Sequence, residues 1–428
     1  MKHRTSLLLF VLAYAGFISI GLPDGLIGVA WPSIRATFKL PIDALGALLV
    51  TGAAGYLVSS FSSGRLLSFF SVGTLLALSC LATATSLIGY ALAPVWPMVV
   101  AFGALSGLGA GAIDAALNTF AATRFTARTV NWLHACYGVG TTGGPLIMTG
   151  MVGAGLAWRW GYAAVGLGQL ALAVCFALTR RLWEDGRETA DGRETADGRK
   201  TADGREMAHG RETCEQISSS SAPTASVGRT LRLPVVWLSV AVFFIYSGVE
   251  AAAGAWAYSL FTESRGVSMS IAGTWVSFYW GAFTAGRIIS GLAADFTRQS
   301  RLLRFCILGV ALGAMLLWLD LTDLVSFAGL ALMGIALAPI FPTLIANTPG
   351  RLGAIHTANG IGFQIAAASL GLSLLPAFVG LMANRFGLEI IGPLLFASAV
   401  LLLILFEMLT AADRLRTREA SIVCPDSP

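Results

Sequence analysis

Three carboxylates, Asp24, Asp114 and Glu250, stand well inside long apolar runs of this 428-residue chain. The other acids outside residues 180–232 fall in expected loops, tails or helix ends. No basic residue is expected at equal depth. An ionised carboxylate is costly in such surroundings, and without a neighbouring cation its protonated form is favoured. The chemistry this implies is reversible proton binding, so all three are expected proton-coupling groups. Polar and aromatic residues accompany them. Asn118 follows Asp114 by four residues, which puts both on one helix face. Asn131 and His134 are three apart, and Tyr137 continues their face. Asn359, Phe363 and Gln364 form a counterpart late in the chain, and Trp256 and Tyr279 offer aromatic faces suited to CH-rich sugar rings. These nine are the expected substrate-binding groups, with His134 able to join a proton path.

Nothing else in the chain suggests bond-making chemistry. There is no nucleophile–base pair, no metal-ligand spacing and no cofactor motif, so no enzyme, metal or cofactor is expected. The six cysteines show no CxxC pattern and read as small core residues. Gly107 to Gly111 could imitate a phosphate loop, but in an apolar helix it reads as a surface for close packing.

Positioning such groups requires long apolar elements. The chain is 56% apolar and 12% charged, against about 25% charged in a soluble protein. Residues 180–232 hold 10 basic and 10 acidic side chains, leaving 31 charges for the rest. That excludes a soluble enzyme, a nucleic-acid binder and a disordered protein. A helix crosses the hydrocarbon layer with about 20 apolar residues. Scanning at that length predicts an all-α membrane protein with twelve spans, near 6–31, 44–63, 72–93, 96–121, 131–154, 160–179, 235–261, 270–294, 303–319, 324–346, 356–380 and 389–411. With the N-terminus inside, 14 Lys and Arg fall in short loops and ends on the cytoplasmic side and 5 on the outer side. A multi-pass protein of the cell membrane with both termini cytoplasmic is expected.

The predicted layout is a six-helix half over 1–181, a cytoplasmic linker over 182–232, a second half over 233–412 and a tail over 413–428. In the linker, Gly186 to Asp191 recurs as Gly192 to Asp197 and then degenerates through three further hexamers. Balanced charge and the serines after it cannot bury a core, so disorder is expected there. The halves themselves repeat. Counted from Asp24 and Glu250, Trp31 matches Trp256, Gly46 matches Gly273, Gly55 matches Gly281 and Gly64 matches Gly291, each within one residue. Arg159-Trp160-Gly161 likewise matches Arg385-Phe386-Gly387. Two parallel structural repeats follow.

Two six-helix halves with a long cytoplasmic connection resemble the major facilitator superfamily. Its loop signature, approximately G-x-x-x-D-x-x-(x)-[RK], reappears as Gly291, Asp295 and Arg298. The first half has Gly64 and Arg65 but Ser68 in place of the acid, which weakens the gating latch the resemblance implies there. Asp24 with Asp114 and Asn118 is similar to the fucose–galactose–glucose:proton symporter branch. There an Asp in helix 1 and a Glu in helix 4, with Asn four residues on, carry the proton and touch the sugar. This chain has Asp for that Glu, and Asn131 to His134 where the branch shows Asn-x-x-Gln. The resemblance implies a monomeric secondary transporter in the lipid bilayer. It would carry a small polar solute, a sugar by preference, with protons, sodium being left open as the coupling ion. A proton antiporter exporting drugs or metabolites and a non-transporting membrane sensor or scaffold are the alternatives.

Overall fold

Within hydrocarbon there is little water to expel, so helices associate through close packing and hydrogen bonds. The 49 glycines serve that need. The computed structural model describes residues 2–124, 127–183, 225–293 and 299–423. Six long helices form the first half: α1 (Lys2–Phe38), α2 (Leu45–Phe69), α3 (Val72–Leu92), α4 (Trp96–Arg124), α5 (Ala127–Gly153) and α6 (Trp158–Thr179). Six more form the second: α7 (Pro234–Ser259), α8 (Met269–Ala293), α9 (Gln299–Leu319), α10 (Asp323–Leu337), α11 (Ala354–Phe386) and α12 (Ile391–Val423). Ten helical segments among the described residues are long and apolar enough to cross a membrane. α5 and α8, with 27 and 25 residues, are of matching length but lie outside that set.

The repeat read from the sequence has a structural counterpart. In the first half α1 packs on α5, α2 on α4, α3 on α6 and α3 on α4. In the second half α7 packs on α11, α8 on α10, α9 on α12 and α9 on α10, the same pairs shifted by six. Equivalent crossings use glycine alike. A Cβ at Gly21 or Gly25 would overlap the α5 carbonyls of Tyr137 or Thr141, and one at Gly140 would overlap the Ile18 carbonyl. On the other side of the repeat, a Cβ at Gly371 would overlap the Phe244 carbonyl. At the α2–α4 crossing Gly107 meets the Gly52 carbonyl and Gly55 that of Ala104. Gly107 to Gly111 is thus a helix-packing surface.

Two expected boundaries shift. The span expected over 324–346 is broken: α10 ends at Leu337 and a short helix resumes over Ile340–Ala346. Pro339 between them has no N–H to continue the ladder and disfavours a helical residue before it. The linker expected over 182–232 is folded at both edges. Trp183 is buried against Phe120 and Phe176. At the other edge a short helix over Val227–Leu231 docks on α11. There the Ala225 N–H donates to the Ile355 carbonyl at 2.9 Å, and Asn359 Nδ2 donates to the Ala225 carbonyl at 2.7 Å. The hexamer repeats lie outside the described residues.

The helices alternate in direction, so α1 begins and α12 ends at one face of the bundle, here called the terminal face. At the opposite face Arg265, its side chain 3% exposed, ties three loops of the second half together. It makes paired hydrogen bonds to Glu389 at 2.7 and 3.1 Å, and others to Ser326 Oγ and the Leu317 carbonyl at 2.9 Å. Its ion pair with Asp320 spans 3.0 Å.

Because the helix crossings are backbone-to-backbone, added volume there should be felt sharply. Gly140→Val is expected to lower thermal stability by about 1–3 kcal/mol. Gly168→Val, where nothing lies within 4 Å of an added Cβ, should be neutral. Melting curves of the two purified variants in detergent check this, and equal melting temperatures would contradict it.

Candidate functional site

The α1–α5 crossing builds the first part of the site. Pro23 lies within α1 and lacks the N–H that would satisfy the Ser19 carbonyl. Gln169 of α6 takes that role, its Nε2 donating to the Ser19 carbonyl at 2.8 Å. This buried support fixes the turn that carries Asp24. With α5 drawn close by the glycines, the Tyr137 hydroxyl donates to Asp24 Oδ2 at 2.7 Å. Asp24 is exposed although Gly25 and Leu26 beside it are buried. Tyr137 is half-buried.

Asp114 is held differently. The Tyr56 hydroxyl of α2 donates to its Oδ2 at 2.7 Å, and Asn118 Nδ2 donates to its Oδ1 at 2.9 Å. The four-residue spacing of Asp114 and Asn118 thus closes a local hydrogen bond, and Tyr56 joins them to α2. Tyr56 itself is close enough to interact electrostatically with Asp24 as well as Asp114.

Glu250 sits in α7 with 7% of its surface exposed. The Tyr246 hydroxyl, one turn earlier, donates to its Oε2 at 2.5 Å. Tyr279 of α8 donates to the Glu250 backbone carbonyl at 2.9 Å, locking α8 on this turn. All three membrane carboxylates therefore accept a hydrogen bond from a tyrosine hydroxyl.

One expectation is overturned here. The sequence reading placed no basic residue at the depth of the acids, yet Arg287 of α8 faces them. Its guanidinium lies over the Phe283 ring, 4.3 Å from the centroid. It interacts electrostatically with Glu250, Tyr246 and Tyr137. It forms no ion pair within 4.0 Å among the described residues, and its Nε is buried without a hydrogen-bond partner. The signal was available, because Arg287 falls inside the span expected over 270–294. Glu250 in turn interacts electrostatically with Asp24 across the two halves. The centre thus joins Asp24 and Tyr137 of the first half to Tyr246, Glu250 and Arg287 of the second.

The remaining expected residues divide. Trp256 is fully buried, and its Nε1 donates to the Pro376 carbonyl at 2.9 Å across the α7–α11 crossing. Gln364 is buried, donating to Ser239 Oγ at 2.6 Å and accepting from Thr348 Oγ1 at 3.0 Å. Tyr279 is fully buried as well. These three have their polar atoms matched within the second half and act as packing groups. Asn359 is half-buried and holds the Ala225 segment. Phe363 is half-buried against the core of the second half. The side chains of Asn131 and His134 lie outside the described residues, as do Asp295 and Arg298. Gly64 ends in open space near the end of α2, the Arg65 carbonyl accepts from Ser68 Oγ at 2.7 Å, and Gly291 lies near the end of α8.

Contacts between the halves gather towards the opposite face. A Cβ at Gly28 of α1 would lie 2.6 Å from the Gly254 carbonyl of α7, and one at Gly46 of α2 would lie 2.9 Å from Ala377 Cβ of α11. A Cβ at Gly273 of α8 would overlap Thr149 of α5. Arg35 and Glu263 pair across the same end. The molecule is therefore closed at the opposite face, while Asp24 stays accessible.

A small polar centre thus lies between two repeated helical bundles. The sequence model of the Major Facilitator Superfamily matches residues 13–374, and the chain belongs to that family. It is a multi-pass membrane protein of that family. Among curated proteins it is 27% identical to sodium-dependent glucose transporter 1 of Rattus norvegicus over 182 residues, 41% of this chain and 37% of that one. It is 24% identical to a glucose/galactose transporter of Brucella abortus over 149 residues, 34% of this chain and 35% of that one. The chain thus spans less than half the length of these relatives. Among solved structures, a D-xylose-proton symporter superposes with a TM-score of 0.68 at 16% identity, covering 92% of this chain and 97% of that one. The nucleoside transporter NupG gives 0.66 at 14% identity, covering 95% and 98%.

The Arg35–Glu263 pair is the ion pair that bridges the halves among the described residues, and both side chains are partly exposed. Such a pair contributes up to about 1 kcal/mol, so Arg35→Ala should raise the population open at this face by up to about fivefold. Spin labels at residues 40 and 266 would report it as a longer distance component. An unchanged distance distribution would show that the pair is not a latch.

Proposed function

We propose that the chain imports a small neutral sugar in symport with protons, acting as a monomer in the cell membrane by rocking of its two halves. The observation that carries this reading is the facing of Asp24 and Glu250 from opposite halves, each bonded to a tyrosine hydroxyl, at the centre between the repeats. Protonating them removes charge that opposes dehydration and closure, so the loaded carrier can reorient. The basic-residue count of the loops supports cytoplasmic termini, and on that orientation the molecule is open inward. Asp24 and Glu250 are the coupling pair. Asp114, bound within the first half by Tyr56 and Asn118, positions α4 against α2. Tyr137 and Phe363 are available to touch solute from the two halves, and Asn131 and His134 are further candidates in the sequence. The printed names of the rat and Brucella relatives support glucose as the first solute to try, and the rat name makes sodium the rival coupling ion.

Proteoliposomes containing the purified protein test the reading with radiolabelled D-glucose. Accumulation driven by an inward proton gradient is expected, with none from a sodium gradient. Asp24→Asn and Glu250→Gln should each abolish gradient-driven accumulation while exchange of internal for external glucose persists. Accumulation that follows sodium alone would assign coupling elsewhere. Proton-driven dye extrusion without glucose movement would replace import by export.

A further inference from the structure

Besides the carboxylates and their tyrosine partners, the centre holds one further charged group among the described residues. Arg287 enters from α8 as the only guanidinium facing them among the described residues. Its surroundings are known from each neighbouring helix. α5 presents Tyr137, and α7 presents Tyr246 and Glu250; Asp24 of α1 lies beyond these, interacting with Tyr137 and Glu250. α8 itself contributes Tyr279, which also interacts electrostatically with Arg287. On α10 the titratable residue is Asp323, at the start of that helix at the opposite face. The next turn of α7 beyond Ser259 holds Glu263, which is paired with Arg35. Among the described residues of its own half, Arg287 thus has one partner of opposite charge, Glu250.

That partnership is incomplete in this state. Glu250 Oε2 takes its hydrogen bond from Tyr246 and none from Arg287. The guanidinium rests on Phe283, is half-buried, and leaves Nε without a partner. A guanidinium presents five donors in a planar fork that also matches a pair of adjacent hydroxyls.

We propose that Arg287 binds vicinal hydroxyls of the solute and exchanges that role with service as counter-ion to Glu250. With Glu250 ionised, the guanidinium is drawn to the carboxylate and is withheld from the solute. When Glu250 takes a proton from cavity water, the attraction ends and the fork is free to donate to the solute. Release of the solute returns the guanidinium to Glu250 and favours loss of the proton to water. Proton and solute thereby bind cooperatively through one side chain, which is what symport requires of a coupling element. The inference rests on the sugar-symport reading above and adds a recognition group and a link to it.

Equilibrium binding of D-glucose to the full-length protein in detergent, at mildly acid and mildly alkaline pH, tests the link. Wild type should bind more tightly at acid pH. Glu250→Gln, which imitates the protonated acid, should show the acid-pH affinity at both values. Arg287→Gln should lose about tenfold or more in affinity at acid pH, as expected for lost hydrogen bonds from a charged donor, and should lose the pH response. Arg287→Lys keeps the charge without the fork, so it should keep the pH response at weaker affinity. If Arg287→Gln retains wild-type affinity and pH response, the inference falls while the transport reading stands. Should Arg287→Gln fail to fold, a Glu250→Gln protein with unchanged pH dependence overturns the link. Wild type that neither binds nor carries D-glucose overturns the transport reading, and the inference falls with it.

Discussion

Charge inside a low-dielectric bundle must be compensated, and the whole architecture is arranged around that constraint. An unpaired ion in hydrocarbon costs several kcal/mol, yet the fold holds three carboxylates and a guanidinium near its centre. Each carboxylate is met by a tyrosine hydroxyl: Tyr137 for Asp24, Tyr56 for Asp114 and Tyr246 for Glu250. A neutral donor of this kind can bond an ionised carboxylate and can accept from a protonated one. Tyrosine therefore tolerates both protonation states, where a tight ion pair would fix one. Arg287, offset from Glu250 and stacked on Phe283, leaves the same freedom in the second half.

Glycine makes that arrangement reachable. Tyr137 meets Asp24 because Gly21, Gly25 and Gly140 let α1 and α5 touch backbone to backbone. Tyr56 meets Asp114 because Gly52, Gly55 and Gly107 do the same for α2 and α4. Polar placement and close packing are therefore one design in the first half, and the close packing recurs in the α7–α11 and α8–α10 pairs. The two halves then touch through small residues, Gly138 against Thr284 and Gly273 against Thr149 on α5 and α8. Apolar side chains of both halves also share one core, and the Arg35–Glu263 pair bridges the halves at one end.

Much of this was legible in the sequence, because it rests on composition and period. Ten helical segments of span length among the described residues and the same helix pairings in the two halves agree with that reading. Asp24 and Tyr137 were both singled out, and the structure joins them. What escaped depends on tertiary placement. Arg287 falls inside the span predicted over 270–294, and only the tertiary arrangement sets it beside Tyr246 and Glu250. Tyr56 carries no local signal, since its partner stands 58 residues away on another helix. Trp256 and Tyr279 looked suited to stacking on a sugar, yet both are buried crosslinks whose N–H and O–H serve backbone carbonyls. A large aromatic in a helical membrane protein announces a contact, and only the fold decides whether protein or solute supplies it.

The central claim is that Asp24 and Glu250 tie proton movement to solute movement. It is tested most directly by the pH gradient that brings net D-glucose flux to zero against a fixed glucose gradient in proteoliposomes. The account predicts a balancing pH gradient that grows in fixed proportion to the logarithm of the glucose gradient, and no such balance point in Glu250→Gln. A wild-type flux that cannot be balanced by any pH gradient would contradict it.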